Sequence, residues 1–168
     1  MLVNNAGGFA GGPLESISAQ DWDKVFIANT RSVFLCSSQA FKHMSSAGGA
    51  IVNITGASAH RTFIRGGAYG PAKAAVLALS RQMALEWGAY GIRSNCVSPG
   101  PIREPGENWQ QREPALAQQV ERIPLRRAGS SREVARAVIY LASDDAAYTT
   151  GQDLIVDGGS VHTWYMSP

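Results

Sequence analysis

The chain has 168 residues, 45% of them apolar and 17% charged, with a formal net charge of +2 at pH 7. That length makes a single domain with a core of its own, and that balance excludes a disordered chain. No basic stripe interleaved with aromatics offers a nucleic-acid surface, and no apolar run has the length of a membrane span or the form of a signal peptide.

The first residues, Met1-Leu2-Val3, read as a buried strand that ends in Asn4-Asn5-Ala6-Gly7. Gly7, Gly8, Gly11 and Gly12, followed by Pro13, then read as a loop. Ser18 and Asp21 carry a helix N-terminus signal. The apolar stripe beyond it is Trp22, Val25, Phe26, Val33, Cys36, Ala40 and Met44, at steps of three and four except for one gap. Asn29 fills that gap. A polar residue on a buried stripe needs partners, and the pattern alone favours an Asn satisfied by backbone.

Gly48-Gly49 ends this helix, and residues 50–55 read as a short buried strand. The next helix is expected over 68–89. It places Tyr69 and Lys73 four residues apart, on one face and one turn from each other. A phenol titrates at about 10, too high for acid–base work at neutral pH, and a neighbouring ammonium lowers that value. Such a pair also arises as a solvated Lys beside a half-buried Tyr. Ala72, Ala74, Ala75 and Ala78 give the same helix a small-residue surface for close packing.

Gly88 and Gly91 stop the helix, and residues 92–98 form the next strand. Pro99-Gly100 turns the chain at its C-terminal end, where open α/β sheets place ligands. Residues 101–127 are rich in Pro, Gln and Arg. Their Arg103, Arg112, Arg122, Arg126 and Arg127 suit an anionic carrier such as coenzyme A or acyl carrier protein. The alternative is a solvated surface interleaved with Glu104, Glu107, Glu113 and Glu121. Ser130 and Glu133 form a capping box for a helix with the stripe Val134, Ala137, Val138 and Leu141. A last strand covers 151–156, and residues 161–168 carry no pattern. Cys36 and Cys96 lie in apolar patterns far apart, which suits two reduced core thiols of a cytoplasmic protein and leaves a disulfide between them open. No metal site is expected.

Taken in order, Asn4-Asn5-Ala6-Gly7, Ile51-Val52-Asn53-Ile54, Tyr69 with Lys73, Asn95-Cys96-Val97-Ser98-Pro99-Gly100, Gly151 and Val156-Asp157-Gly158-Gly159 resemble the short-chain dehydrogenase/reductase family over nearly the whole chain. The resemblance implies an α/β, Rossmann-type doubly wound parallel sheet flanked by helices. It implies hydride transfer between NAD or NADP and a carbonyl or alcohol. The substrate would be a small molecule or an acyl thioester, as for 3-oxoacyl reductase-like members. A homo-oligomer is expected through the Tyr69 helix and the helix before it. By the same resemblance Tyr69 is proton donor and acceptor, Lys73 lowers its pKa and holds the nicotinamide ribose, and Asn29 anchors a relay water. Asn5, Gly7, Tyr69, Lys73, Pro99, Gly100 and Ile102 would touch the cofactor, and residues 101–127 would form a substrate lid.

The sequence departs from the family at the position thirteen residues before Tyr69. The family has a catalytic Ser there, and this chain has Gly56. Thr55 and Ser58 are the candidates to replace it. Ser58 has the right strand parity but would lie about 6–7 Å further along an extended chain. Ser32 stands where Gly is common, and Glu104 where Thr is. His60 reads as a loop residue. The family also has a βαβαβ segment with a Gly-rich phosphate loop before the first strand seen here. The expectation is therefore a domain lacking roughly 60 to 90 such residues, with four surviving strands. Such a chain would be inactive by itself, and the alternative is a non-catalytic remnant serving as an oligomerisation or partner-binding module.

Overall fold

The computed structural model describes residues 1–163. Four strands, β1 (Leu2–Asn4), β2 (Gly49–Ile54), β3 (Ile92–Pro99) and β4 (Asp153–Val156), form one parallel sheet in the order β1-β2-β3-β4. The register pairs Val3 with Val52, Val52 with Asn95, and Val97 with Leu154. Helices connect them: α1 (Ala19–Phe26), α2 (Ser32–Met44), α3 (Tyr69–Trp87), the short α4 (Trp109–Arg112) and α5 (Pro114–Val120), and α6 (Ser131–Ala142).

Successive strand residues point to opposite faces, so each face gathers its own core. Val52 and Val97 pack with Leu141 and Val138 of α6. Ile51 and Ile92 pack on the other face with Met44 and Phe41 of α2 and Trp87 of α3. The result is the three-layer architecture expected of a parallel sheet covered on both sides. Buried polar residues interrupt the strands and satisfy one another. Asn4 donates to Asn53 Oδ1 (2.8 Å) and Ser37 Oγ (3.1 Å), and Asn53 donates to Ser80 Oγ (3.2 Å).

Ser18 caps α1 by accepting from the Asp21 N–H, as its spacing predicts. The helix then differs from a single regular one. Residues Ile27–Arg31 form a wide turn in which the Ser32 N–H reaches Ile27 O. The buried residues Val25, Asn29, Val33 and Ser37 are four apart. In a straight α-helix each four-residue step drifts by about 40°. The wide turn absorbs the drift, turns Ser37 inward and leaves Cys36 exposed. Cys36 is therefore not a core thiol. Cys96 is buried, both cysteines are free, and burial pushes the Cys96 thiol up to about 12.

Residues 101–127 hold α4 and α5 over a small core of Trp109, Val120 and Ile123. Most of their arginines are paired: Arg103 with Glu113, Arg112 with Glu107, and Arg127 with Glu133. Glu104 accepts from the Ser131 N–H (2.9 Å) and so helps cap α6. Among the described residues, no helix is long and apolar enough to cross a membrane. No group of three His, Cys, Asp or Glu among them could hold a metal ion.

Candidate active site

Beyond Ile54 the chain leaves the sheet and builds one wall of a cavity of about 810 Å³ at the C-terminal ends of the strands. Gly56 is extended (φ 160°, ψ 158°), and Ala57–Ala59 then fold into a single 3-10 turn. The turn cancels the displacement expected of an extended chain. Ser58 Oγ lies 3.2 Å from where a Cβ on Gly56 would stand. Among the described residues it is a buried side-chain oxygen with no hydrogen-bond partner, a costly state in an interior without a ligand. Thr55, the other candidate, is fully engaged. Its Oγ1 donates to Ser98 Oγ (2.5 Å), whose own proton goes to Asp153, and lies 3.1 Å from Val97 O.

The first turn of α3 lies against this wall. A Cβ on Gly70 would meet Ser58 O at 3.0 Å, so only glycine lets the helix approach so closely. Tyr69 and Lys73 both line the cavity. Lys73 Nζ donates to Ile54 O (3.0 Å) and sits 5.6 Å from the Tyr69 ring centre. The sequence predicts that the ammonium lowers the phenol's pKa. Instead, burial dominates and pushes Tyr69 above the ordinary phenol value. Burial also holds Lys73 below the ordinary lysine value. The reason is geometric: the ammonium is aimed at the Ile54 carbonyl. Burial thus favours the neutral form of the Tyr69 phenol.

Opposite α3, the loop after β1 brings Asn5 and Gly7 to the cavity. A Cβ on Gly7 would stand 2.6 Å from Asn29 Oδ1 and 3.4 Å from Lys73 Nζ. Asn29 is fully buried on the wide turn. Its Nδ2 donates to Gly8 O (2.7 Å) and Val25 O (2.9 Å), and its Oδ1 accepts from the Gly8 N–H (3.4 Å). The amide therefore clamps the loop to α1, and both of its donors are engaged. Among the described residues Lys73, with three donors, has one acceptor, which leaves two donors for a ligand beside Gly7.

Pro99 and Gly100 complete this side of the cavity. Gly100 lies so close to Asp157 that a Cβ would meet the Asp157 backbone at 2.8 Å. Ile102 is not among the cavity's lining residues; its side chain packs 2.8 Å from where a Cβ on Gly129 would be.

His60 is more than a loop residue. Its Nε2 shares a hydrogen bond of 2.6 Å with Asp153 Oδ2, and Ser98 Oγ donates to the same carboxylate (2.9 and 2.8 Å). This ties the turn bearing Ser58 to the start of β4. Arg61 reaches the other way, donating to Ser160 O (2.9 Å) and Thr163 Oγ1 (2.6 Å). Phe9 and Phe63 also line the cavity, the Phe9 ring edge-on to Tyr69 at 5.3 Å. Nothing in the spacing of His60, Ser98 and Asp153 signals their meeting, because three different elements contribute them.

A phenol, a buried ammonium and an unpartnered hydroxyl lie on the walls of one cavity at the strand ends of a parallel α/β sheet, where such sheets bind ligands. The family model described as enoyl-(acyl carrier protein) reductase matches residues 1–161. The chain belongs to the short-chain dehydrogenase/reductase family. It is 40% identical over 161 residues to the uncharacterized oxidoreductase YohF of Escherichia coli, a match of 95% of this chain and 63% of the relative. It is 39% identical to the 2-(R)-hydroxypropyl-CoM dehydrogenase of Xanthobacter autotrophicus, over 94% of this chain and 65% of that one. A crystal structure from Agrobacterium tumefaciens with bound NADP superposes with a TM-score of 0.89 at 34% identity, covering 96% of this chain and 67% of that chain. The chain thus spans about two thirds of the length of these relatives.

Proposed function

We infer that these residues form the proton-handling and substrate end of an oxidoreductase that moves hydride between NAD(P) and a carbonyl or alcohol. The observation that carries this reading is the convergence of Tyr69, Lys73 and the unpartnered Ser58 hydroxyl on one cavity. NAD(P), when bound, supplies or accepts the hydride. The part of the site described here fits its nicotinamide–ribose end. Two free donors on Lys73 suit the ribose hydroxyls, and the side-chain-free Gly7 and Gly100 leave the approach open. Asn5 and Pro99 flank that approach. In reduction Tyr69 gives its proton to the substrate oxygen, and Ser58 donates a second hydrogen bond to the same oxygen. In oxidation Tyr69 takes the proton back. Asn29 holds the wide turn and the Gly7-Gly8 loop in place behind Lys73.

The test joins the 168 residues to the N-terminal segment of the Escherichia coli relative and follows oxidation of NAD(P)H by ketones. Tyr69→Phe keeps the shape and removes the proton. It is expected to lower kcat by at least about a hundredfold and to change cofactor affinity by less than about threefold. An equally active Tyr69→Phe enzyme would overturn the reading.

A homo-oligomer is part of the same proposal. Ile27 and Phe34 line one shallow groove with Leu79 and are 50 and 53% exposed, apolar surface that suits association. Phe34→Asp is expected to shift the chain to monomer in sedimentation velocity; a wild-type monomer at tens of micromolar would refute this part.

A further inference from the structure

The cavity has a second end that proton transfer does not use. We propose that it takes a ketone or secondary alcohol bearing a ring-sized apolar group, seated on Phe9, Phe63 and Ile64. The proposal rests on the oxidoreductase reading, because Tyr69 marks where the substrate oxygen lies.

Phe9, Phe63 and Ile64 are 61, 50 and 93% exposed, yet all three line the same cavity as Tyr69. Isolated exposed apolar residues need no explanation, but three large ones at one cavity mouth mark a binding surface. Their arrangement is built into the backbone. The Gly12 N–H donates to Arg65 O (2.9 Å), and Gly12 and Gly66 form a bridge, so the loops bearing Phe9 and Phe63 are joined. A Cβ on Gly11 would meet both Arg65 O and the Phe9 ring at 2.6 Å; glycine is required for that ring to lie back across the loop. Arg65 itself is held in the left-handed region (φ 64°), a conformation that costs energy in a non-glycine residue. The two rings lie 25° from parallel with centres 6.3 Å apart. They form one aromatic surface that continues edge-on to Tyr69.

The cations nearby, Arg61 and Arg122 on the cavity wall and Arg65 next to Ile64, make acetoacetyl-coenzyme A the competing occupant to test. Arg61 already donates to Ser160 O and Thr163 Oγ1. Arg122 lines the cavity too, from the turn after α5. An apolar ring laid on Phe9 and Phe63 gains on the order of tenfold to a hundredfold in affinity from the area it covers.

The experiment uses the 168-residue chain itself and reads binding, not turnover. Acetophenone, 3-hydroxy-2-butanone and acetoacetyl-coenzyme A are titrated into protein with carbon-13-labelled phenylalanine rings, with affinities taken from the NMR shifts. Acetophenone is expected to bind at least tenfold tighter than 3-hydroxy-2-butanone and to move the Phe9 and Phe63 ring signals. Phe63→Ala and Ile64→Ala, both at exposed positions, should each weaken acetophenone severalfold and leave 3-hydroxy-2-butanone unchanged. Equal binding of the two ketones, tighter binding of acetoacetyl-coenzyme A, or indifference of acetophenone to both substitutions would each overturn the proposal. Hydride transfer is measured separately in the extended chain. Ring binding without transfer would sink the oxidoreductase reading alone, whereas transfer that prefers 3-hydroxy-2-butanone would sink the ring alone.

Discussion

A hydroxyl and a missing side chain carry the residue-scale argument. Gly56 stands where the family has its catalytic Ser, and the 3-10 turn at Ala57–Ala59 brings Ser58 Oγ to within 3.2 Å of the lost Cβ position. A donor aimed at the developing charge on a substrate oxygen is worth about 3 kcal/mol, or roughly a hundredfold in kcat. Ser58→Ala in the extended chain is accordingly expected to lower kcat by that order with KM little changed. Gly56→Ser tests the same account from the other side. Its backbone is extended, so a serine is conformationally free there, but its Cβ would press on Ser58 Oγ. The substitution should therefore rescue Ser58→Ala, with its own hydroxyl filling the vacated space, and add little to wild type. If Ser58→Ala is silent and Gly56→Ser raises the rate about a hundredfold, Ser58 is not the donor.

At the scale of elements, the signals that were legible in the sequence are local ones. Ser18 with Asp21 and Ser130 with Glu133 specify helix starts within four residues, and both caps form as spelled. The four parallel strands were legible through the family resemblance, since Asn53, Ser94 and Asn95 interrupt what would otherwise be apolar runs. The wide turn at Ile27–Arg31 was not. It follows from polar Asn29 being drawn into the core to clamp Gly8 O, a contact 21 residues away. The Tyr69–Lys73 pair was legible as a spacing, but the direction of the Tyr69 shift was not, because burial and the Ile54 carbonyl are tertiary facts. The α6 cap yields a prediction with a definite sign. Pairing with Arg127, together with hydrogen bonds from Ser130, lowers Glu133 from an ordinary value of 4.5 to about 2. A depressed carboxyl stabilises the fold fully above its unfolded pKa and loses that contribution as pH falls through the folded one. Glu133→Gln keeps the box geometry and removes the charge. The gap in unfolding midpoint between wild type and variant should be constant above about pH 5 and close between pH 4.5 and about 2. A gap that persists unchanged at pH 2 would show that the ion pair is not its source.

For the whole molecule, the question is what this chain can hold by itself. Lys73, Gly7, Tyr69 and Gly100 line one cavity, and on the proposed reading they would hold a nicotinamide and its ribose. A dinucleotide also carries a diphosphate, and proteins hold that group with the free N–H groups and positive end of a helix N-terminus. The helix starts described here are in part occupied already. At α1 the Ser18 side chain takes the Asp21 N–H; at α6 the Glu104 carboxylate takes Ser131 and the Ser130 side chain takes Glu133; and α3 begins with the Tyr69 N–H on Gly66 O. Among the described residues β1 pairs with β2 alone, and its Leu2 and Val3 are only half-buried. With the nicotinamide end alone to hold, the 168-residue chain is expected to bind NADH and NADPH at millimolar Kd or weaker, which corresponds to no more than about 4 kcal/mol. The two cofactors should bind alike, since the 2′-phosphate that separates them lies at the adenosine end. Isothermal calorimetry on the isolated chain decides this. Micromolar binding of either cofactor, or a tenfold preference between them, would mean that residues of this chain reach the diphosphate or the adenosine after all, and the division of labour argued here would be wrong.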